Sequence, residues 1–133
     1  LLEVTAGYVA LEHPGRHALV TAGMRCITRP GQGPGTPFNK DTSPAFLEAL
    51  THFDLGETAS LNSLLSAAQP GDALSLWHLL TRTSRAHRSL IFDKLTVLQP
   101  PPSEVTKEGI LAGDATLLKT WASSMGIHSS LLP

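Results

Sequence analysis

The fold of this chain is decided by residues 7–23, whose sequence reads GYVALEHPGRHALVTAG. Apolar and polar side chains alternate on both sides of a central turn, which is the pattern of a β-hairpin. Pro14 presets φ at the first central position of that turn and Gly15 tolerates a positive φ at the second, as a type II turn requires. Residues 3–12 and 17–22 are therefore predicted to form two antiparallel strands.

The neighbouring sequence extends this hairpin into a small meander. Ala22 and Gly23 predict a second turn, and residues 24–29 predict a third strand. Residues 1–5 lack an initiator methionine and already alternate like a strand, so we expect a processed product or the ordered part of something longer. Three short strands are too few to fold alone. The meander is expected to pack on helices or to complete a larger sheet.

Residues 30–42 hold three Pro and three Gly. Because proline removes N–H donors and glycine loses the most entropy on ordering, neither a helix nor a central strand is expected here. The G-x-G-x-G spacing lacks the Lys-Ser/Thr of a P-loop and differs from the G-x-G-x-x-G of dinucleotide folds. The stretch is interpreted as a plain connector.

Beyond residue 42 the apolar residues recur at helical spacing, between clear start and stop signals. The predicted helix caps are Ser43, Thr58 or Ser60, Asp72, Ser84, Thr106 and Asp114. The leucines and other residues predicted to face inward include Leu50, Leu64, Leu76, Leu90, Ile91, Leu95 and Leu118. Gly126 is predicted to end the last helix in the left-handed conformation, with Ile127 closing a Schellman motif.

The predicted fold class is α+β, a short antiparallel meander followed by a bundle or array of five to six short helices. Four segments follow: residues 1–29 as the end of a β-domain, 30–42 as the connector, 43–127 as a helical domain and 128–133 as a tail.

Composition limits the function classes. The 133 residues carry a net charge of −1, so nothing marks a nucleic-acid-binding surface. Charged residues make up only 16% of the chain, which suggests that a partner or missing chain covers part of the surface. The lone Cys26 excludes an intrachain disulfide and is expected to be a small buried hydrophobe. No apolar run reaches the length of a membrane span.

Candidate chemistry is sparse. His13 and His17 flank the first turn and could approach each other across the hairpin. They are expected to be solvated, with a weak metal site as the alternative. His78 is expected to be partly buried with a local hydrogen bond, and a general base is the alternative. The carboxylates are scattered, and no Ser-His-Asp set has a supporting spacing. We therefore predict no catalytic, cofactor or metal site, and no enzyme.

The predicted protein interface rests on two tryptophans and a basic cluster. Trp77 and Trp121 stand at core spacing, and an interface role is the sharper alternative because aromatic residues concentrate in interface centres. Arg82, Arg85 and Arg88 form a short basic cluster that is expected to be a solvated face or a partner-facing patch.

The hairpin stretch resembles the closing strands of a FecR-type domain, an extracytoplasmic regulator domain. The shared features are the G-x-V of residues 7–9, the turn glycine Gly15, the V-x-A-G of residues 20–23 and the strand after Met24. The helical remainder is similar to tails of bacterial FecR-domain proteins. The resemblance implies a β-rich, non-enzymatic protein outside the cytoplasm, often held by an upstream membrane helix, that acts through protein contacts such as anti-sigma signalling.

From the residues and the resemblance together we expect a non-catalytic extracytoplasmic interaction module of FecR type, in the periplasm or cell envelope. A structural or accessory subunit of a larger assembly is the alternative. The expected partner is a protein or a second copy, without nucleic acid and without a membrane span in this chain. An excised signalling module should be monomeric, whereas an assembly subunit should self-associate.

Overall fold

A computed structural model describes residues 1–5, 7–13, 16–29 and 33–127. Within them, seven short strands precede six α-helices, which confirms the α+β class. The strands are β1 (Leu2–Glu3), β2 (Tyr8–His13), β3 (Arg16–Thr21), β4 (Met24–Cys26), β5 (Thr28–Arg29), β6 (Gly33–Pro34) and β7 (Phe38–Asn39). The helices are α1 (Pro44–Asp54), α2 (Leu61–Ala67), α3 (Ala73–Leu80), α4 (Arg85–Leu98), α5 (Lys107–Leu111) and α6 (Ala115–Ser124), with 3-10 turns at Thr58–Ser60 and Pro70–Asp72.

The predicted hairpin is confirmed. Strands β2 and β3 pair in antiparallel register, with Val9 opposite Val20. Strand β3 is buried on both faces: Ala18 and Val20 join a small cluster within the β region, whereas Leu19 joins the helical core. This alternation follows from the two-residue period of a strand that lies between two apolar layers. The type II turn at residues 14–15 lies outside the described residues, as does the predicted tail.

The predicted meander is wrong in its third strand. Strand β4 lies between β1 and β7, with Leu2 opposite Cys26 and Arg25 opposite Phe38, while β5 pairs with β6. The turn before β4 explains this arrangement. Gly23 adopts φ +85° and donates its N–H to Val4 O at 2.8 Å, which sets β4 beside β1 and not beside β3.

The predicted plain connector is also corrected, because residues 33–34 and 38–39 form strands and residues 33–38 are buried. Helical side chains satisfy the polar groups of this Pro- and Gly-rich segment. Thr36 donates its N–H and its hydroxyl to Asp54 at 2.8 and 2.7 Å, and Ser75 donates to Pro37 O at 2.6 Å. Burial of an irregular segment is possible because these bonds replace water.

Most of the predicted helix starts are confirmed. The side chains of Ser43, Ser84, Thr106 and Asp114 each accept a hydrogen bond from a first-turn N–H. Asp72 occupies the predicted N-cap position of α3, but its side chain accepts no hydrogen bond from the first turn of that helix. Its carboxylate instead accepts bonds from the Gln69 N–H and the Thr42 hydroxyl.

The end of α6 matches the predicted Schellman motif. Gly126 adopts φ +89°, and the Ile127 N–H donates to Ala122 O at 3.0 Å. On α4, by contrast, Leu90 was predicted to face inward and is 48% exposed. Ile91, Phe92 and Leu95 form the inward face of that helix.

Two apolar clusters organise the fold. The larger one draws on all six α-helices and includes Trp121, whose ring meets Phe92 edge-on at a centroid distance of 5.3 Å. The smaller one consists of Val4, Ala18, Val20, Met24 and Cys26 within the β region. Leu74 on α3 contacts both clusters, so the strands and the helices pack on each other.

The Asp114 cap gives a first prediction. Asp114 Oδ1 accepts bonds from the Thr116 and Leu117 N–H groups at 2.9 and 3.2 Å. Asp114→Ala leaves both donors to water, so the free energy of unfolding should fall by about 1 kcal/mol in urea denaturation. Asp114→Asn keeps a capping oxygen and should lose less. Equal losses in both variants would contradict the capping role.

Candidate functional site

Both tryptophans lie in the core, as their helical spacing predicted. Trp121 is fully buried and donates its indole N–H to Gln99 O at 3.1 Å. Trp77 is 6% exposed and donates to Leu118 O at 2.9 Å. The indole N–H of each tryptophan is thus hydrogen-bonded within the chain. Neither indole presents a surface on which the predicted interface could be built.

Of the three arginines predicted as a basic cluster, Arg85 and Arg88 both reach α5, whereas Arg82 reaches the segment after the hairpin. Arg85 pairs with Glu108 at 3.1 Å, and both side chains are exposed, so this pair contributes little to stability. Arg88 donates to the Leu111 carbonyl at 2.8 Å. Arg82 lies against the segment after the hairpin and donates to Thr36 Oγ1 at 3.3 Å. The structure does not bring the three guanidinium groups together as one patch.

His78 is buried, with only 3% of its surface exposed. Its Nδ1–H donates to Leu74 O at 2.8 Å, which confirms the predicted local bond, and its Nε2 accepts the Leu19 N–H at 3.1 Å. Burial, reinforced by the nearby charge of Arg82, lowers the pKa of His78 to about 4. The ring is neutral at pH 7, and both nitrogens are engaged within the fold.

Cys26 is a fully buried free thiol, as predicted. It donates to Gly35 O at 3.3 Å, and burial raises its pKa. A protonated, enclosed thiol is a poor nucleophile.

The hairpin register pairs His13 with Arg16 and Glu12 with His17, so the two histidines are not cross-strand partners. The strand register therefore does not support the prediction that His13 and His17 approach each other across the hairpin. Among the described residues, no group of three or more His, Cys, Asp or Glu side chains is arranged to hold a metal ion.

A cavity of about 350 Å³ lies between the end of α1 and the junction of α3 with α4. Its lining includes Phe53, Asp54, Leu79, Arg82, Thr83, Ser84 and His87. Two hydroxyls in the lining bond to backbone groups at helix ends. Thr83 donates to Leu79 O, and Ser84 accepts from the backbone N–H of His87 and not from its imidazole. The described geometry therefore gives these groups capping roles and no activated nucleophile.

The most distinctive surface is on α4. Leu90 and Val97 are 48% and 75% exposed and stand two turns apart on one face of the helix. Ala86 and Asp93 occupy the same face, and Asp93 accepts a bond from Lys107 Nζ at 2.8 Å. We call these four residues the α4 outer face. The sequence does not reveal this face, because Leu90 adjoins the buried Ile91 and its spacing predicts an inward position.

A scan against protein-family models, a search of curated proteins and a search of solved structures each found no match to this chain. The resemblance to FecR-type domains therefore stays a prediction.

In the parts of the chain that the structure describes, no helix is both long and apolar enough to cross a membrane.

Proposed function

We propose that this chain is a non-catalytic protein-interaction module of FecR type, which works outside the cytoplasm in regulation or in the cell envelope. The α4 outer face supports this proposal most directly. Its Leu90 and Val97 are exposed although the same helix buries three other apolar side chains. The FecR-like hairpin sequence is the basis for the extracytoplasmic location and for the anti-sigma-like signalling role.

The spacing of the α4 outer face indicates the kind of partner. Ala86, Leu90, Asp93 and Val97 are separated by four, three and four residues, which is the spacing of a coiled-coil seam. A partner helix with apolar residues opposite Leu90 and Val97 would complement this face. Burial of the exposed parts of Leu90 and Val97, 48% and 75% of their surfaces, would contribute favourably to binding by removing apolar area from water.

A structural or accessory subunit is the second candidate. The low charged fraction, 16% of the chain, favours a surface that is partly covered in an assembly. In that case the α4 outer face would contact a second copy of this chain or a neighbouring subunit.

Site-specific photo-crosslinking in cells of the native source tests the contact face. A photoreactive residue at Val97 or Leu90 should give one discrete adduct with a protein partner. Leu55, 49% exposed at the end of α1, provides the matched control position and should give none. Adducts with a second copy would favour the assembly subunit. Equal adducts from all three positions, or none, would contradict the proposed face.

The extracytoplasmic location is tested separately by thiol labelling of intact cells. Cys26 is fully buried, so the unmodified protein serves as the unlabelled control. Ser63→Cys places a reactive thiol on an exposed position of α2. A membrane-impermeant maleimide should label this variant in intact cells. Labelling that appears only after lysis would overturn the proposed location.

A further inference from the structure

The hydrogen bond between Leu19 and His78 links two parts of the fold that are 59 residues apart in sequence. This bond joins strand β3 of the hairpin to helix α3. The segment that follows is held by its own bonds to the helical region, because Asp54, Asp72 and Ser75 all bond to residues 36–42.

We propose that His78 is an acid-sensitive latch, whose protonation releases the β2–β3 hairpin from α3 while the helices remain folded. This device is independent of the α4 outer face and goes beyond the proposed function.

The chemistry of the bond makes the latch sensitive to protonation. The Leu74 carbonyl can only accept, so Nδ1 carries the ring proton and Nε2 is the acceptor for the Leu19 N–H. A second proton on Nε2 would place an N–H group against the Leu19 N–H. The bond would then be replaced by repulsion inside a buried site.

The charged surroundings of the ring oppose protonation in the closed state. Arg82, in the turn that follows α3, acts on the ring with a positive charge. Asp72, the buried carboxylate before α3, is already engaged by Thr42 and Gln69. In the described part of the fold, therefore, no neighbouring group stabilises the protonated His78 ring as much as opening of the hairpin does.

Opening should be confined to the hairpin, because the larger apolar cluster holds the helices together and depends little on hairpin residues. All but two of the residues of the larger cluster, Leu19 and Phe38, come from residues 46–127. The smaller cluster has five buried members, and two of them, Ala18 and Val20, are in β3. Loss of the hairpin removes one side chain, Leu19, from the helical core.

The direction of the pH effect follows from the lowered pKa. The latch bond contributes fully above pH 6.5, the value for an exposed ring, and its contribution is lost as the pH falls through about 4. From pH 7 to pH 4, opening should become on the order of 100-fold more favourable.

Hydrogen exchange of the whole chain, expressed as protection factors to remove the intrinsic pH effect, tests the latch. Protection of the β3 amides should fall on the order of 100-fold between pH 7 and pH 4. Protection within α1 and α6 should change far less. A β3 protection independent of pH, or an equal fall in all elements, would overturn the proposal.

Two variants sharpen the test. His78→Gln offers Leu19 an acceptor that does not titrate in this range, so its β3 protection should stay flat with pH. His87→Gln, which changes a histidine on α4 away from the hairpin, should keep the pH dependence of the unmodified protein. If His78→Gln fails to fold, the imidazole nitrogen shifts of the unmodified protein decide. They should show an Nδ1–H ring at pH 7 that becomes protonated in step with loss of β3 protection, and any other order contradicts the latch.

Discussion

Trp121→Ala should lower the free energy of unfolding by about 3–5 kcal/mol, the largest single loss that we expect in this chain. The side chain is fully buried in the helical core and packs edge-on against Phe92. The variant leaves a cavity and also leaves Gln99 O without its indole donor. Urea denaturation followed by circular dichroism measures the loss.

Two further variants separate packing from hydrogen bonding at this position. Trp121→Phe keeps an aromatic ring but not the N–H, so it should lose only about 1–3 kcal/mol. Val97→Ala, at a side chain that is 75% exposed, should change the stability by no more than about 0.5 kcal/mol. A Trp121→Ala loss no greater than that of Val97→Ala would show that α6 does not complete the core.

Asp54→Ala is expected to have the second largest effect, a loss of about 3 kcal/mol. Its two carboxylate oxygens accept the N–H and the hydroxyl of Thr36, a residue that is only 2% exposed. Without Asp54, both buried donors lose this acceptor. The stability should fall in urea denaturation, and hydrogen exchange should accelerate at Thr36 before it does in α3.

The control for this prediction uses the partner residue. Thr36→Val removes the hydroxyl but keeps the N–H, so it should lose about half as much as Asp54→Ala. The double variant should lose less than the sum of the two single losses, because the two residues share a bond. Additive losses would contradict the described contact.

The local features of the helices were predictable from sequence because their chemistry lies within one turn. Ser43, Thr106 and Asp114 cap the residues that directly follow them, and Gly126 ends α6 where only a left-handed residue fits. Asp72 also stands at a helix start, but its carboxylate bonds to the Gln69 N–H and to the hydroxyl of Thr42, thirty residues earlier, and not to the first turn of α3. A cap signal alone cannot distinguish these two cases.

The long-range features were not predictable in the same way. The 30–42 stretch has the composition of a linker, yet Thr36 is buried because Asp54 and the helical core are close to it in space. The bond between His78 and the Leu19 N–H depends on the position of strand β3, and no residue spacing within α3 predicts it. For the α4 outer face, the 3.6-residue period predicted an inward stripe that included Leu90, and this concealed the exposed surface.

The three-stranded sheet of β1, β4 and β7 has a practical consequence for dissecting this protein. Its strands come from residues 2–3, 24–26 and 38–39, so the sheet is complete only when all three stretches are present. Severing the chain between residues 29 and 33 would divide β4 from β7 and β5 from β6. Fragments for expression, and tags inserted for detection, are therefore better placed with residues 2–39 left uninterrupted.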